Sequence, residues 1–200
     1  MTRPRVLFLP GAGGSPQFWK PAAEALPDAW PKELFGWPGL GAQPHDPAIR
    51  GLDDLKQLVT AKMHEPVDLV AQSMGGVIAA RIALEHPERV RRLVLCVTSG
   101  GVDMADLGAS DWRADYRRSF PKAATWITNG SPTPPLQVEK IAAPTLLIWG
   151  DKDPVSPVAV GRHLAERLPN ARLEILPGGD HDVASTHADL VARLIARHLA

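Results

Sequence analysis

The chain has 200 residues, 44% of them hydrophobic and 22% charged, with a formal net charge of zero, which suits one globular domain with its own core. Its 22 basic and 22 acidic residues balance, so nothing draws it to a phosphate backbone or an anionic lipid surface, and neither nucleic acid nor membrane is expected as a partner. Cys96 is the sole cysteine, which excludes an internal disulfide and paired thiolate metal sites.

Short apolar runs alternate with longer segments of helical period along the chain, the pattern of a parallel sheet covered on both faces. The first run, Val6–Leu9, ends in Pro10-Gly11. It is too short for a signal-peptide core, and no run approaches the ~20 residues of a membrane span, so a cytoplasmic location is the expectation. A helix is predicted over Gln17–Leu26, a strand over Glu33–Phe35, a helix over Leu52–Lys62, a strand over Val67–Val70 and a helix over Met74–Glu85. The strand Leu93–Val97 holds Cys96, read as a small buried residue. Residues 102–140 break the alternation with Trp112, Tyr116, Phe120 and Trp126, then Ser131-Pro132-Thr133-Pro134-Pro135. About 40 residues make a poor independent core, so this reads as a short insertion over the sheet. Strand Thr145–Trp149, helix Pro157–Leu168, strand Arg172–Leu176 and helix Thr186–His198 follow, with Ser185 as the N-cap of the last helix. The expected fold is α/β: one domain over residues 1–200, doubly wound, with a mostly parallel six-stranded sheet and helices on both faces.

The chemistry concentrates where strands end. Val67–Val70 runs into Ala71-Gln72-Ser73-Met74-Gly75-Gly76, which opens a helix. A serine hydroxyl is a poor nucleophile unless it is exposed, relieved of its proton by a base and faced by electropositive donors. A tight strand-to-helix turn lifts the side chain above the sheet edge and aims free helix N–H groups at it. Small neighbours are needed because the two backbones nearly touch, and Ala71 and Gly75 are small. The plainer alternative for Ser73 is a helix cap. Two further loops at strand ends carry an acid and a base: Gly150-Asp151-Lys152-Asp153-Pro154 and Pro177-Gly178-Gly179-Asp180-His181. Spacing alone does not separate Asp151 from Asp153, and either serves equally well as a turn residue. Of the other histidines, His86, His163 and His198 lie within or at the ends of predicted helices and are expected to be solvated, and His187 falls in the first turn of the last helix.

The Ala71-Gln72-Ser73-Met74-Gly75 turn resembles the nucleophile elbow of the α/β-hydrolase family, with Ala71 in place of the usual first glycine. The family's chain order is serine, acid, histidine. The resemblance therefore implies Ser73 as nucleophile, Asp153 as the acid three residues after a glycine, and His181 as the base after a glycine turn shortly before the last helix. Pro10-Gly11-Ala12-Gly13-Gly14-Ser15 resembles the family's His-Gly-x-Gly loop, with Pro10 replacing histidine, and implies an oxyanion hole made by the Ala12 and Met74 N–H groups. One such donor is worth about 3 kcal/mol. A phosphate cradle is the other reading of this loop, but the Lys-Ser/Thr of a P-loop is missing. Trp37-Pro38-Gly39-Leu40-Gly41 resembles a further family turn. On this likeness the fold is an α/β hydrolase lacking its first two strands, and 102–140 is a short lid.

The implied activity is cleavage of a small-molecule acyl ester or thioester through an acyl-enzyme, with no metal and no organic cofactor. Perhydrolase, lyase and C–C bond hydrolase chemistry use the same triad, and a non-catalytic binding protein is a further alternative. A serine at the elbow argues against the dehalogenase branch, which carries aspartate there. Phe18, Trp19, Trp112 and Trp126 are the expected substrate-pocket residues. Oligomeric state is not written in the sequence.

Overall fold

The computed structural model describes residues 3–129 and 134–200. Ser131, Pro132 and Thr133 of the proline-rich stretch lie outside the described residues. In chain order the elements are β1 (Val6–Leu9), α1 (Lys20–Glu24), β2 (Lys32–Leu34), α2 (Leu52–Thr60), β3 (Val67–Gln72), α3 (Met74–Glu85) and β4 (Val90–Cys96). There follow α4 (Arg113–Ser119), α5 (Trp126–Asn129), β5 (Thr145–Gly150), α6 (Val158–Arg167), β6 (Ala171–Leu176), α7 (Val183–Thr186) and α8 (Ala188–Leu199).

The six strands form one sheet in the order β2-β1-β3-β4-β5-β6. Every neighbouring pair is parallel, so the sheet is all-parallel rather than mostly so. Every residue of β1, β3 and β5 is buried. That is why these strands read as unbroken apolar runs: helices cover both faces, and no side of the strand meets water. The edge strands β2 and β6 are only partly buried, and they carry charged residues such as Glu33 and Arg172. Helix α2 packs on α3, α3 lies against β3 and β4, and α6 against β5 and β6, while α8 lies against β4 and β5 and against α1. Helix α8 does this with Val191, Ala192, Ile195 and Leu199, a buried stripe at helical spacing.

Strand order reverses between β1 and β3: β1 leads outward to β2, whereas β3 leads to β4, β5 and β6 in the other direction. The loops after β1 and β3 therefore leave the sheet edge in opposite senses and open a crevice between them, the usual place for a ligand in this architecture.

Local chemistry moved some boundaries. The predicted helix Gln17–Leu26 is a 3-10 turn over Pro16–Phe18 followed by the short α1, because Pro16 and Pro21 each lack an N–H and Trp19 is drawn into the core. The predicted helix Thr186–His198 is divided at His187, whose φ of −116° and ψ of 35° are not helical. His187, not Ser185, caps α8, and Ser185 lies inside α7, where its N–H donates to the Asp182 carbonyl at 2.8 Å. Cys96 is buried, and burial, with a smaller push from Asp153, raises its thiol pKa well above the ordinary value. Among the described residues no helix is long and apolar enough to cross a membrane.

His198 was expected to be solvated, and it is half-buried instead. Its Nε2 lies 3.1 Å from the Leu93 carbonyl and 3.2 Å from the Pro144 carbonyl, so α8 is tied to the middle of β4 and to the residue before β5. Carbonyls only accept, which puts the proton on Nε2. Burial lowers the His198 pKa, with the carbonyl contacts acting in the opposite direction. The unfolded chain thus binds this proton more readily than the folded one. Stability from the neutral form is present above the ordinary histidine pKa and is lost as pH falls below it. The melting-temperature advantage of the native protein over His198→Gln should accordingly shrink between pH 7.5 and pH 5, and an advantage that stays constant would contradict this account.

Candidate active site

Ser73 sits between β3 and α3 with φ 51° and ψ −124°, a conformation that residues with a side chain rarely adopt. The chain must reverse there in one residue, from a strand to a helix running back over the sheet. The reversal presses the start of α3 onto the end of β1. A Cβ on Gly75 would lie 2.4 Å from the Pro10 carbonyl oxygen and 2.6 Å from that of Leu9. Thr98, just past β4, holds the turn from the other side: its Oγ1 donates to the Ser73 carbonyl at 2.5 Å and accepts from the Gly100 N–H at 3.0 Å. Its neighbour Val97 is the other residue besides glycine, among those described, with positive φ, at 43°. Backbone strain is thus gathered beneath the hydroxyl.

The Ser73 side chain does not cap α3. Its Oγ lies 2.9 Å from His181 Nε2, and His181 Nδ1 lies 2.8 Å from Asp153 Oδ2. The Asp153 carboxylate is fully buried, and its Oδ1 accepts the N–H groups of Val155 at 2.8 Å and Ser156 at 3.0 Å. Asp153 is therefore a turn residue and a histidine partner at once. Asp151 is spent elsewhere, accepting the Gly178 N–H at 2.7 Å. Gln72 Nε2 donates to the His181 backbone carbonyl at 3.1 Å, so the residue before the serine also steadies the histidine loop. The arrangement can pass a proton from the Ser73 hydroxyl to an imidazole whose other nitrogen faces a carboxylate.

The loop after β1 crosses close above this turn: a Cβ on Gly11 would lie 3.0 Å from Ser73 Cβ. Ala12 and Met74 line the same cavity as Ser73 and His181. Among the described residues, neither the Ala12 N–H nor the Met74 N–H donates to a protein acceptor. Trp37 braces the loop from behind, its indole N–H donating to the Pro10 carbonyl at 2.7 Å and its backbone N–H to Gly14 at 2.9 Å. The Trp37–Gly41 turn is thus the support of this loop.

The cavity measures about 1550 Å³. Ser73, Val77 and Arg81 recur at four-residue intervals along one stripe of α3 and all line it. It therefore follows that helix for about 12 Å from Ser73, reaching an ion pair between Arg81 and Asp53 at 3.2 Å. Phe18, Trp112 and Trp126 line the cavity, as do Met104 and Ile127. Trp19 does not. It is fully buried, with its indole N–H on the Leu9 carbonyl at 3.0 Å and Phe8 and Phe18 against its ring, so it belongs to the core and not to the pocket. Sequence reasoning overlooked Gln72, Thr98, Trp37 and Tyr116. Only Trp37 carried a local signal, through the glycine turn that it opens.

Known proteins agree with this architecture. A sequence profile described as "alpha/beta hydrolase fold" matches residues 4–127 and 99–188. The chain belongs to the α/β-hydrolase fold family. It is similar to the poly(3-hydroxyalkanoate) depolymerase of Ectopseudomonas oleovorans, 27% identical across 97% of this chain and 83% of that protein. It is also similar to a pimeloyl-[acyl-carrier protein] methyl ester esterase of Neisseria meningitidis serogroup C, 25% identical across 95% of this chain and 91% of the relative. Among solved structures, the bromoperoxidase of Bacillus anthracis superposes with a TM-score of 0.78 at 21% identity, covering 99% of this chain and 92% of the other.

The contact beneath the turn is open to direct measurement. Gly75→Ala places a methyl group against two backbone carbonyls that have no flexible end to swing away. It should destabilise the fold by about 1–3 kcal/mol in urea titration, and an unchanged midpoint would show that the close approach is not required.

Proposed function

We propose that this protein is a serine hydrolase that cleaves carboxylic esters or thioesters through an acyl-enzyme on Ser73. The observation that carries the reading is the continuous hydrogen-bonded line from Ser73 Oγ through both nitrogens of His181 to the buried Asp153 carboxylate. Two relatives named for hydrolytic reactions, one of them an esterase, lend support to it.

In this mechanism His181 Nε2 takes the hydroxyl proton as Ser73 Oγ attacks the acyl carbon. Asp153, an acceptor only, keeps the proton on Nδ1 and so leaves Nε2 free to act as the base; it then stabilises the imidazolium. Charge that develops on the carbonyl oxygen is met by the Ala12 and Met74 N–H groups, with the N-terminus of α3 behind the latter. The C–O or C–S bond breaks as His181 returns the proton to the departing alcohol or thiol. Water, deprotonated by the same imidazole, then releases the acid and restores Ser73. The chemistry uses no metal or organic cofactor. Residues 102–140 act as a short lid, with Trp112 and Trp126 on the apolar side of the acyl site.

A fluorophosphonate probe should label the native protein at Ser73 and leave Ser73→Ala unlabelled. Turnover of a chain-length series of p-nitrophenyl esters, run beside acyl thioesters, should fall about 10⁴-fold in kcat for Asp153→Asn and be little changed for Asp151→Asn. Equal labelling of Ser73→Ala, or a greater loss at Asp151 than at Asp153, would refute the assignment.

A further inference from the structure

Tyr116, the only tyrosine in the chain, projects from α4 onto the loop after β1. Its hydroxyl donates to the Ala12 carbonyl at 2.8 Å and accepts from the Gly41 N–H at 2.8 Å. The direction of both bonds is fixed, because a carbonyl only accepts and a backbone N–H only donates. We propose that Tyr116 is a positioning residue for the oxyanion hole: it anchors the Ala12–Gly13 peptide, while the Gly14–Gly11 bond anchors the Gly11–Ala12 peptide, so that Ala12 is fixed from both sides with its N–H presented to the reacting carbonyl. This inference rests on the esterase reading of the site.

The need for such a clamp is written in the loop. Ala12 stands between Gly11 and Gly13, with Gly14 following, and glycine backbones rotate freely unless something holds them. The loop's own hydrogen bond is Gly14 N–H to Gly11 at 3.0 Å. Three more of its carbonyls are held from outside, those of Pro10 and Gly14 by Trp37 and that of Ala12 by Tyr116. The Tyr116 bond is the tie to the central residue, and it comes from an element 104 residues away in sequence.

The turn that shares the hydroxyl is equally constrained. Gly41 has φ 57°, and a Cβ there would lie 2.0 Å from the Gly13 carbonyl oxygen, so the two turns touch backbone to backbone. One phenol oxygen joins them. The ring is 8% exposed and is held edge-on by Trp112 at 5.5 Å and against Phe120 at 5.1 Å, which leaves the hydroxyl little freedom. Burial raises the phenol pKa, partly offset by the Gly41 N–H, so the donating proton is retained across neutral pH. An oxyanion donor acts through being fixed before the charge appears. A clamp on Ala12 therefore contributes to the transition state rather than to ground-state binding.

Tyr116→Phe keeps the ring and removes the clamp. It should lower kcat for a p-nitrophenyl ester roughly 10- to 100-fold, short of the loss of a whole oxyanion donor, and leave KM within about twofold. Affinity for an alkyl boronic acid, which forms a tetrahedral anion on the serine, should fall in parallel with kcat. A kcat equal to the native value, or a loss confined to KM, would overturn the clamp while leaving the esterase reading intact. Native protein that neither turns over esters nor reacts at Ser73 would overturn both. As a check that does not depend on the folding of the variant, biosynthetic 3-fluorotyrosine places a single ¹⁹F label at Tyr116. Its resonance should shift when the boronic acid binds the native protein and stay still in Ser73→Ala. A resonance unmoved by an inhibitor that does bind would count against the proposal.

Discussion

The close approach of α3 to the end of β1 is the constraint from which the site follows. Reversing the chain in one residue at Ser73 brings the first turn of the helix against the Leu9 and Pro10 carbonyls, and only a residue without a side chain fits at position 75. The same contact sets the Gly11–Gly14 loop directly over the serine. The unusual backbone angles of Ser73 are sustained by what surrounds them: Thr98 holds its carbonyl, and the buried strands on either side leave nowhere to relax. A fold that reverses strand order between β1 and β3 creates the crevice, and this contact decides what stands at its mouth.

Around that fixed point the other groups are steadied in pairs. Asp153 is held by two backbone N–H groups before it meets His181, and His181 is held at its carbonyl by Gln72 as well as at its ring by Asp153. Tyr116 and Trp37 do the same for the loop after β1. The histidine loop and the loop after β1 are each held by a residue of another element, whereas Asp153 is held by its own turn. This suits chemistry in which a misplacement of about 1 Å is expensive.

Much of this could be read from the residues. Strands buried on both faces announce themselves as apolar runs, and Ser73, Asp153 and His181 stand in loops that a parallel sheet gathers along one edge. Features decided by distant packing could not be read. Trp19 and Trp112 look alike in sequence, yet one faces the core beside Phe8 and the other lines the cavity. His198 falls on a helix like many solvated histidines, and only the docking of α8 brings it to the Leu93 carbonyl. Asp151 and Asp153 share one loop, and what distinguishes them is which partner each meets across the sheet edge. The role of Tyr116 depends on where α4 lands, for which a lone tyrosine among tryptophans gives no local sign.

The line from Ser73 to His181 joins residues 108 positions apart, and the strand that delivers the histidine is β6, at one edge of the sheet. A chain folded only as far as β5 would already expose the serine at its sharp turn, but with no imidazole beside it. Under the proposed roles such an intermediate is chemically inert. Long-range closure of this kind slows folding, and under the proposed roles the chemistry waits on it.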